Sequence, residues 1–185
     1  MPESLSEKVS ITNFTLFYIN SSLAGVNGIY PSMNLALRYV KSDWFLFLNS
    51  GDRFSSSFDF STIREFFCIA GLGVLFGQAR IVSRSVSWLI PDSLVVNIPK
   101  WLNFFEPNHQ AMFVRGSLAD RYLFDISSPV GADAKWKRDL LCAESYQYFP
   151  SCFVDFYLGG VSSTYRFSLM LQKIQEPSRR PLERL

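Results

Sequence analysis

The stretch Asp43-Trp44-Phe45-Leu46-Phe47-Leu48-Asn49-Ser50-Gly51-Asp52 sets the expectation for the whole fold. Five large apolar residues stand in a row between polar turn formers, which is typical of a strand buried on both faces of a parallel sheet. In open α/β sheets ligands bind outside the carboxyl ends of the strands, so Asp52 is a candidate functional residue. The alternative is a plain turn, because Asn, Ser, Gly and Asp all favour turns.

The segment before this stretch predicts a strand followed by a helix. The run Phe14–Ile19 is rich in strand-forming residues, and Pro31 suits the first turn of a helix. Apolar residues then recur at helical spacing up to a stop near residues 41–42: Met33, Ala36, Leu37 and Val40. A strand, a helix and a second strand in this order imply a right-handed parallel crossover. The predicted class is therefore α/β, with a mostly parallel central sheet flanked by helices.

The remainder of the chain continues the same pattern. Further strands are predicted at 74–82, 110–114 and 153–158, and helices at 117–122 and 164–175. Thr62 and Glu65 have the spacing of a helix capping box, and Asp133 falls at or near the N-cap of another helix. Residues 88–107 contain three prolines and predict an irregular excursion. We expect one domain over residues 1–176 and a flexible tail over 177–185.

The composition excludes several classes of protein. Hydrophobic residues make up 48% of the 185 residues and charged residues 18%, which excludes a disordered chain. A net charge of +2 is too small to indicate nucleic-acid binding. The longest apolar run, residues 66–76, is far short of the roughly 20 residues of a membrane-spanning helix.

Five blocks of sequence, taken in order, resemble a known family. They are Gly28-Ile29-Tyr30-Pro31-Ser32-Met33-Asn34, Trp44 to Asp52, His109-Gln110-Ala111-Met112-Phe113, Ala132-Asp133 and Gly159-Gly160-Val161-Ser162. They resemble family 2 glycosyltransferases with the GT-A fold, in the branch that builds colanic acid, O-antigen and other bacterial surface polysaccharides. The resemblance covers about residues 14–165.

This resemblance implies transfer of a sugar, with inversion, from a nucleotide-diphosphate donor to a saccharide acceptor that is often lipid-linked. Mn or Mg would bridge the donor phosphates. The implied residues are Asp52 at the metal and the donor, Asn34 and Asn49 on the donor side, His109 and Gln110 on the acceptor side, and Asp133 as the catalytic base. Each has a structural alternative: an N-cap for Asp133, a hydrogen-bonded structural residue for His109, and an ordinary exposed helix position for Asn34.

Two departures from the family pattern weaken the expected activity. Asn49 and Pro31 stand where the family usually has acidic residues, and the units that hold the nucleotide base and ribose are expected to be missing at the N-terminus. Weak or no donor binding, and self-association through uncovered apolar surface, follow as expectations. The alternatives are an inactive remnant that acts as a binding or interaction module, or a structural protein in which the 49–52 turn has no chemistry.

The expected location is cytoplasmic. Because the acceptors of similar enzymes are lipid-linked, peripheral contact with the inner face of the cytoplasmic membrane is a further expectation. Arg179, Arg180 and Arg184 would meet anionic lipid there.

Overall fold

The computed structural model describes residues 6–11, 14–19, 27–83, 87–91, 107–128 and 131–158. The strands are β1 (Ser6–Ile11), β2 (Phe14–Ile19), β3 (Trp44–Phe45), β4 (Arg53–Phe54), β5 (Val74–Val82), β6 (Ser87–Ile90), β7 (Met112–Arg115) and β8 (Tyr146–Tyr157). The longer helices are α1 (Ile29–Leu37), a 3-10 helix (Phe60–Cys68) and α2 (Ala132–Ala143). None of the helices in this described part of the chain is long and apolar enough to cross a membrane.

The main sheet has the strand order β3-β7-β5-β8-β4, and β6 pairs with β5. Among the described strands only β5 and β8 run parallel, and every other pairing is antiparallel. The sheet is mixed and curls into a half-barrel. The prediction of a mostly parallel sheet of the GT-A type is therefore wrong.

The predicted parallel crossover fails at both of its strands. Phe14–Ile19 is a strand, as predicted, but it pairs antiparallel with β1 in a separate two-stranded sheet. The apolar run from Trp44 contributes only the two residues of β3, which pair antiparallel with β7 at the edge of the main sheet. Local β-propensity identified the strand, but pairing partners and direction depend on contacts distant in sequence.

Two apolar clusters lie on opposite sides of the main sheet. The α-face cluster packs α1 and α2 against the sheet through residues such as Leu37, Trp136 and Leu140. The phenylalanine cluster packs the 3-10 helix against β5, β7 and β8 through residues such as Ile63 and Phe153. Strand β5 supplies both clusters, since its successive side chains point to opposite faces.

The run 44–48 is divided between these clusters in the same alternating way. Phe45 and Phe47 pack against the α-face cluster, whereas Trp44, Leu46 and Leu48 pack against the phenylalanine cluster. All five side chains are half-buried, because the segment lies at the sheet edge and leaves the strand after two residues. The prediction of contact on both faces is confirmed, and that of a fully buried parallel strand is wrong.

Several predicted boundaries shift for local reasons. The bounds of β5 are those predicted, whereas α1 ends at Leu37 rather than near residue 41. The strand predicted from Gln110 begins at Met112, because the Asn108 side chain accepts the Gln110 amide and shapes a 3-10 turn first. Strand β8 begins at Tyr146 instead of 153, and the helix predicted at 117–122 is a 3-10 turn over Gly116–Leu118.

The capping box predicted at Thr62 is wrong, whereas Asp133 lies near a helix N-cap, as predicted. The side chain of Asp59 accepts the Ser61 amide at 2.8 Å, so the 3-10 helix begins at Phe60, ahead of the capping box predicted at Thr62. Helix α2 has Gly131 as its N-cap, and Asp133 lies inside its first turn. The block 159–162, the helix predicted at 164–175, the tail 177–185 and most of the excursion 88–107 lie outside the described residues.

Candidate functional site

Asp52 closes a tight turn. Its amide donates to the Asn49 carbonyl at 3.1 Å, and Gly51 has a φ of 94°, a conformation that glycine adopts without steric cost. The turn interpretation is therefore correct for the backbone. The Asp52 side chain nevertheless makes contacts distant in sequence, since its Oδ1 accepts the Tyr157 amide at 2.9 Å and its Oδ2 accepts the Gln110 side-chain amide.

His109 and Gln110 lie on the 3-10 turn that leads into β7. Gln110 is completely buried and donates through Nε2 to Asp52. Its neighbour His109 turns toward α2, where Nδ1 lies 3.6 Å from Asp133 Oδ2. One short turn thus connects a carboxylate at the start of β4 with a carboxylate at the start of α2.

Asp133 is held between two helices and this turn. The Tyr30 hydroxyl of α1 donates to Asp133 Oδ1 at 2.9 Å, and the same hydroxyl accepts the Gly131 amide at 2.9 Å. The N-cap alternative for Asp133 is thereby excluded, because its side chain contacts Tyr30 and His109 instead of capping α2.

Four of the predicted site residues therefore meet in one place. Asp52, Gln110, His109 and Asp133 form a continuous series of contacts, which we call the contact chain. They come from three blocks that are far apart in sequence, with 58 residues separating Asp52 from Gln110. The sequence blocks predicted these residues, but only the fold brings them into contact.

The two remaining predicted residues lie outside the contact chain. Asn34 donates to the Phe124 carbonyl at 2.9 Å and accepts the Phe124 amide at 2.8 Å, so it clamps the 122–128 loop against α1. Asn49 contributes its carbonyl to the turn that ends at Asp52. The contacts of Asn34 are structural, and a donor-side role for either residue stays a prediction.

The two carboxylates have opposite electrostatic environments. Burial raises the pKa of Asp52, and the Tyr157 amide, the charge of His109 and the hydrogen bond from Gln110 offset this only in part. Burial would also raise the pKa of Asp133. The hydrogen bond and charge of His109, the charge of Lys137 and the Tyr30 hydroxyl outweigh it and hold the Asp133 pKa well below its usual range. Asp133 is thus ionised throughout the neutral range and binds protons weakly.

The contact chain does not by itself fit a divalent cation. No group of three or more His, Cys, Asp or Glu side chains suited to a metal ion occurs in the described part of the chain. Both oxygens of Asp52 already accept hydrogen bonds. Mn and Mg favour several oxygen ligands, so one occupied carboxylate is a poor site. The predicted cation stays a prediction, and the described residues do not supply its ligands.

Sequence reasoning missed two supporting side chains of the site. Tyr30 stands in the first block, and its hydroxyl donates to Asp133. Lys137 lies one helical turn after Asp133, is buried, and donates to the Pro107 carbonyl at 2.9 Å. A lysine on the apolar side of a helix, four residues after a predicted base, was the available signal.

A row of charges across three strands was also missed. Asp155 of β8 is buried and lies between Arg53 of β4 at 3.5 Å and Arg80 of β5 at 3.3 Å. The register pairs Asp155 with both arginines. An aspartate within the apolar run 153–156 was the available signal, since buried charges are usually paired.

In comparisons with known proteins, no protein-family model and no curated protein matches the chain. The resemblance to family 2 glycosyltransferases therefore stays a prediction.

Proposed function

We propose that the chain is a glycosyltransferase that moves a sugar from a nucleotide-diphosphate donor to a saccharide acceptor, with inversion. The observation that supports the proposal is the contact chain. The resemblance assigns Asp52 to the donor, His109 and Gln110 to the acceptor side, and Asp133 to the base. A single displacement requires these groups in one site, and the fold brings the four side chains together.

The proposed reaction needs a group that takes a proton. The acceptor hydroxyl attacks the anomeric carbon while the bond to the diphosphate breaks, so the hydroxyl must lose its proton as the new bond forms. The resemblance assigns this role to Asp133, whose carboxylate lies 3.6 Å from His109 Nδ1. Asp52 lies at the opposite end, where the resemblance assigns the donor.

Calorimetry with nucleotide sugars tests this proposal. UDP-glucose, UDP-galactose, GDP-mannose and GDP-fucose would each be titrated into the chain with Mn, with Mg and with a chelator. The proposal requires binding of at least one donor, weakened about tenfold or more in Asp52→Ala. Asp59→Ala serves as the matched control, because Asp59 is an exposed carboxylate that contacts only its own helix start. The absence of binding for every donor would contradict the proposal.

A non-catalytic binding module is the second candidate. The observation that favours it is that both carboxylates already accept hydrogen bonds from the protein. Asp52 accepts hydrogen bonds from Gln110 and Tyr157, and Asp133 accepts one from Tyr30. A module that has lost catalysis would bind an acceptor saccharide without binding a donor. Titration of an oligosaccharide panel in the same calorimeter distinguishes the two candidates.

The partners proposed for the transferase follow from its chemistry. They are the nucleotide-sugar donor and a saccharide or lipid-linked acceptor. The proposed location is cytoplasmic, with peripheral contact at the inner face of the cytoplasmic membrane. Self-association through exposed apolar side chains is proposed as well, because Ile126, Leu123 and Tyr39 are each about half or more exposed. Light scattering measures that state, and flotation with anionic vesicles measures the membrane contact.

A further inference from the structure

Two buried polar atoms at the centre of the contact chain have no hydrogen-bond partner among the described residues. They are Nε2 of His109 and Oε1 of Gln110, on adjacent residues of one 3-10 turn. Buried polar groups in folded proteins are nearly always paired, since an unpaired one costs about 1–3 kcal/mol. Unpaired atoms concentrated at one predicted site are a feature of binding and catalytic centres.

The His109 ring is oriented from its other nitrogen. Nδ1 lies 3.6 Å from Asp133 Oδ2, and the Tyr30 hydroxyl fixes Asp133 by donating to its Oδ1 at 2.9 Å. A carboxylate facing Nδ1 favours the proton on that nitrogen. When the ring is neutral, Nε2 then carries the lone pair, and this neutral form is the one that accepts a proton.

Asp133 is the weaker candidate for the same task. Its pKa is held well below the usual range, in spite of burial, by His109, Lys137 and Tyr30. A base works best when its pKa lies near the working pH, so a carboxylate stabilised in its charged form is a poor acceptor. Asp133 faces Nδ1 of His109, Lys137 and Tyr30 act on Asp133, and the charge of His109 also acts on Asp52.

We propose that His109 accepts the proton of the attacking hydroxyl at Nε2 and that Asp133 is a positioning residue. This proposal rests on the proposed glycosyl transfer. The hydroxyl oxygen bonds to the anomeric carbon, the bond to the diphosphate breaks with its electron pair on the leaving oxygen, and the proton moves to Nε2.

The orientation of His109 is tested without any substrate. The chain contains a single histidine, so every imidazole signal in a nitrogen-15 NMR spectrum belongs to His109. In the neutral ring we expect the proton on Nδ1 and not on Nε2, with this preference lost in Asp133→Asn and kept in the control Asp59→Asn. A wild-type ring protonated at Nε2 would overturn the proposal, as would an unchanged tautomer in Asp133→Asn.

Turnover tests the proton transfer. The probe is release of nucleoside diphosphate from UDP-glucose, UDP-galactose, GDP-mannose and GDP-fucose in the presence of an oligosaccharide panel. His109→Gln should lower kcat about 100-fold or more and change KM less than threefold. Asp133→Asn should lower kcat less, because its role is to position His109.

One result would count against His109 as the proton acceptor, and another would count against the proposed function. A wild-type kcat in His109→Gln combined with no activity in Asp133→Asn would make Asp133 the base and overturn the proposal. A wild-type chain that turns over no donor would instead contradict the proposed function. The NMR result then still decides whether Asp133 positions His109.

Discussion

Asn34 shows how one side chain fixes a loop. Its amide both donates to and accepts from the backbone of Phe124. We predict that Asn34→Ala lowers the free energy of unfolding by about 1–3 kcal/mol, because both backbone groups lose their partner in a half-buried place. Asn34→Asp keeps the acceptor for the Phe124 amide and should lose less. Urea unfolding measures both, and an Asn34→Ala chain as stable as wild type would show that the clamp contributes nothing.

We predict that the two carboxylates of the contact chain contribute to the free energy of unfolding with opposite dependences on pH. The folded pKa of Asp133 is lowered, so its contribution to stability is complete above the unfolded pKa of about 4 and is lost as pH falls through the folded value. The folded pKa of Asp52 is raised, so its protonated form favours folding. Its contribution is present below about pH 4 and is lost as pH rises through the folded value.

Asparagine variants at the two positions distinguish these opposite dependences of stability on pH. Relative to wild type, Asp133→Asn should be less stable at pH 7, by about 1–3 kcal/mol, and less stable by a smaller margin at pH 3, which lies below the unfolded pKa and above the folded one. Asp52→Asn should be nearly equal at pH 3 and as stable as wild type or more stable at pH 7, because its neutral amide can donate to the unpaired Gln110 Oε1. Urea unfolding at both pH values measures the differences. Two curves of the same sign would contradict the assigned environments.

At the scale of single residues, the sequence was informative about identity and not about geometry. The blocks identified Asp52, His109, Gln110 and Asp133 as a set, and the fold brings them into contact. Asn34 belongs to one of the same blocks, yet its side chain is hydrogen-bonded to the backbone of Phe124. A block pattern records residue types, whereas the partner of an amide depends on a loop 90 residues away.

Among the helical elements, the 3-10 helix Phe60–Cys68 offers a direct comparison of two caps. Asp59 accepts from both the amide and the hydroxyl of Ser61, whereas a capping box would depend on Thr62 and Glu65. We predict that Asp59→Ala lowers the melting temperature measurably and that Glu65→Ala leaves it unchanged. Thermal unfolding followed by circular dichroism decides between them. A larger loss in Glu65→Ala would restore the capping box.

Strand β7 ends against the segment that leads into β3. A Cβ on Gly116 would lie 2.0 Å from the Ser42 carbonyl oxygen, and the Gly116 amide donates to the Asp43 carbonyl at 2.7 Å. Because the obstacle is backbone, no rotamer change relieves it. We predict that Gly116→Ala lowers the free energy of unfolding by about 3 kcal/mol or more. The control is Ser117→Ala at the exposed neighbouring position. Equal stability of the two variants would exclude this close approach.

At this scale the positions of elements were predictable and their pairing was not. The bounds of β5 and the existence of β2, α1 and α2 follow from local patterns. The direction of a strand does not follow from local patterns, because a strand shows the same alternation of buried side chains whether its partner is parallel or antiparallel. The apolar run 44–48 packs on both faces, as predicted, although its neighbour β7 runs antiparallel.

The whole molecule depends on one strand that serves both clusters. Val74 and Phe76 of β5 enter the α-face cluster, and Leu75, Ala79 and Ile81 enter the phenylalanine cluster. Disruption of either cluster exposes a face of the same strand. We therefore expect the two clusters to unfold together, in one cooperative transition.

Core variants in the two clusters test this coupling. Leu140 lies in the α-face cluster and Ile63 in the phenylalanine cluster, and both are completely buried. We predict losses of about 2–5 kcal/mol for Leu140→Ala and about 0.5–1.5 kcal/mol for Ile63→Val. The double variant should lose the sum within about 0.5 kcal/mol, because the sites share no contact across the sheet. Each should show one urea transition by both fluorescence and circular dichroism, since β5 cannot leave one cluster and stay in the other. Two separate transitions in Leu140→Ala would show that the phenylalanine cluster folds alone.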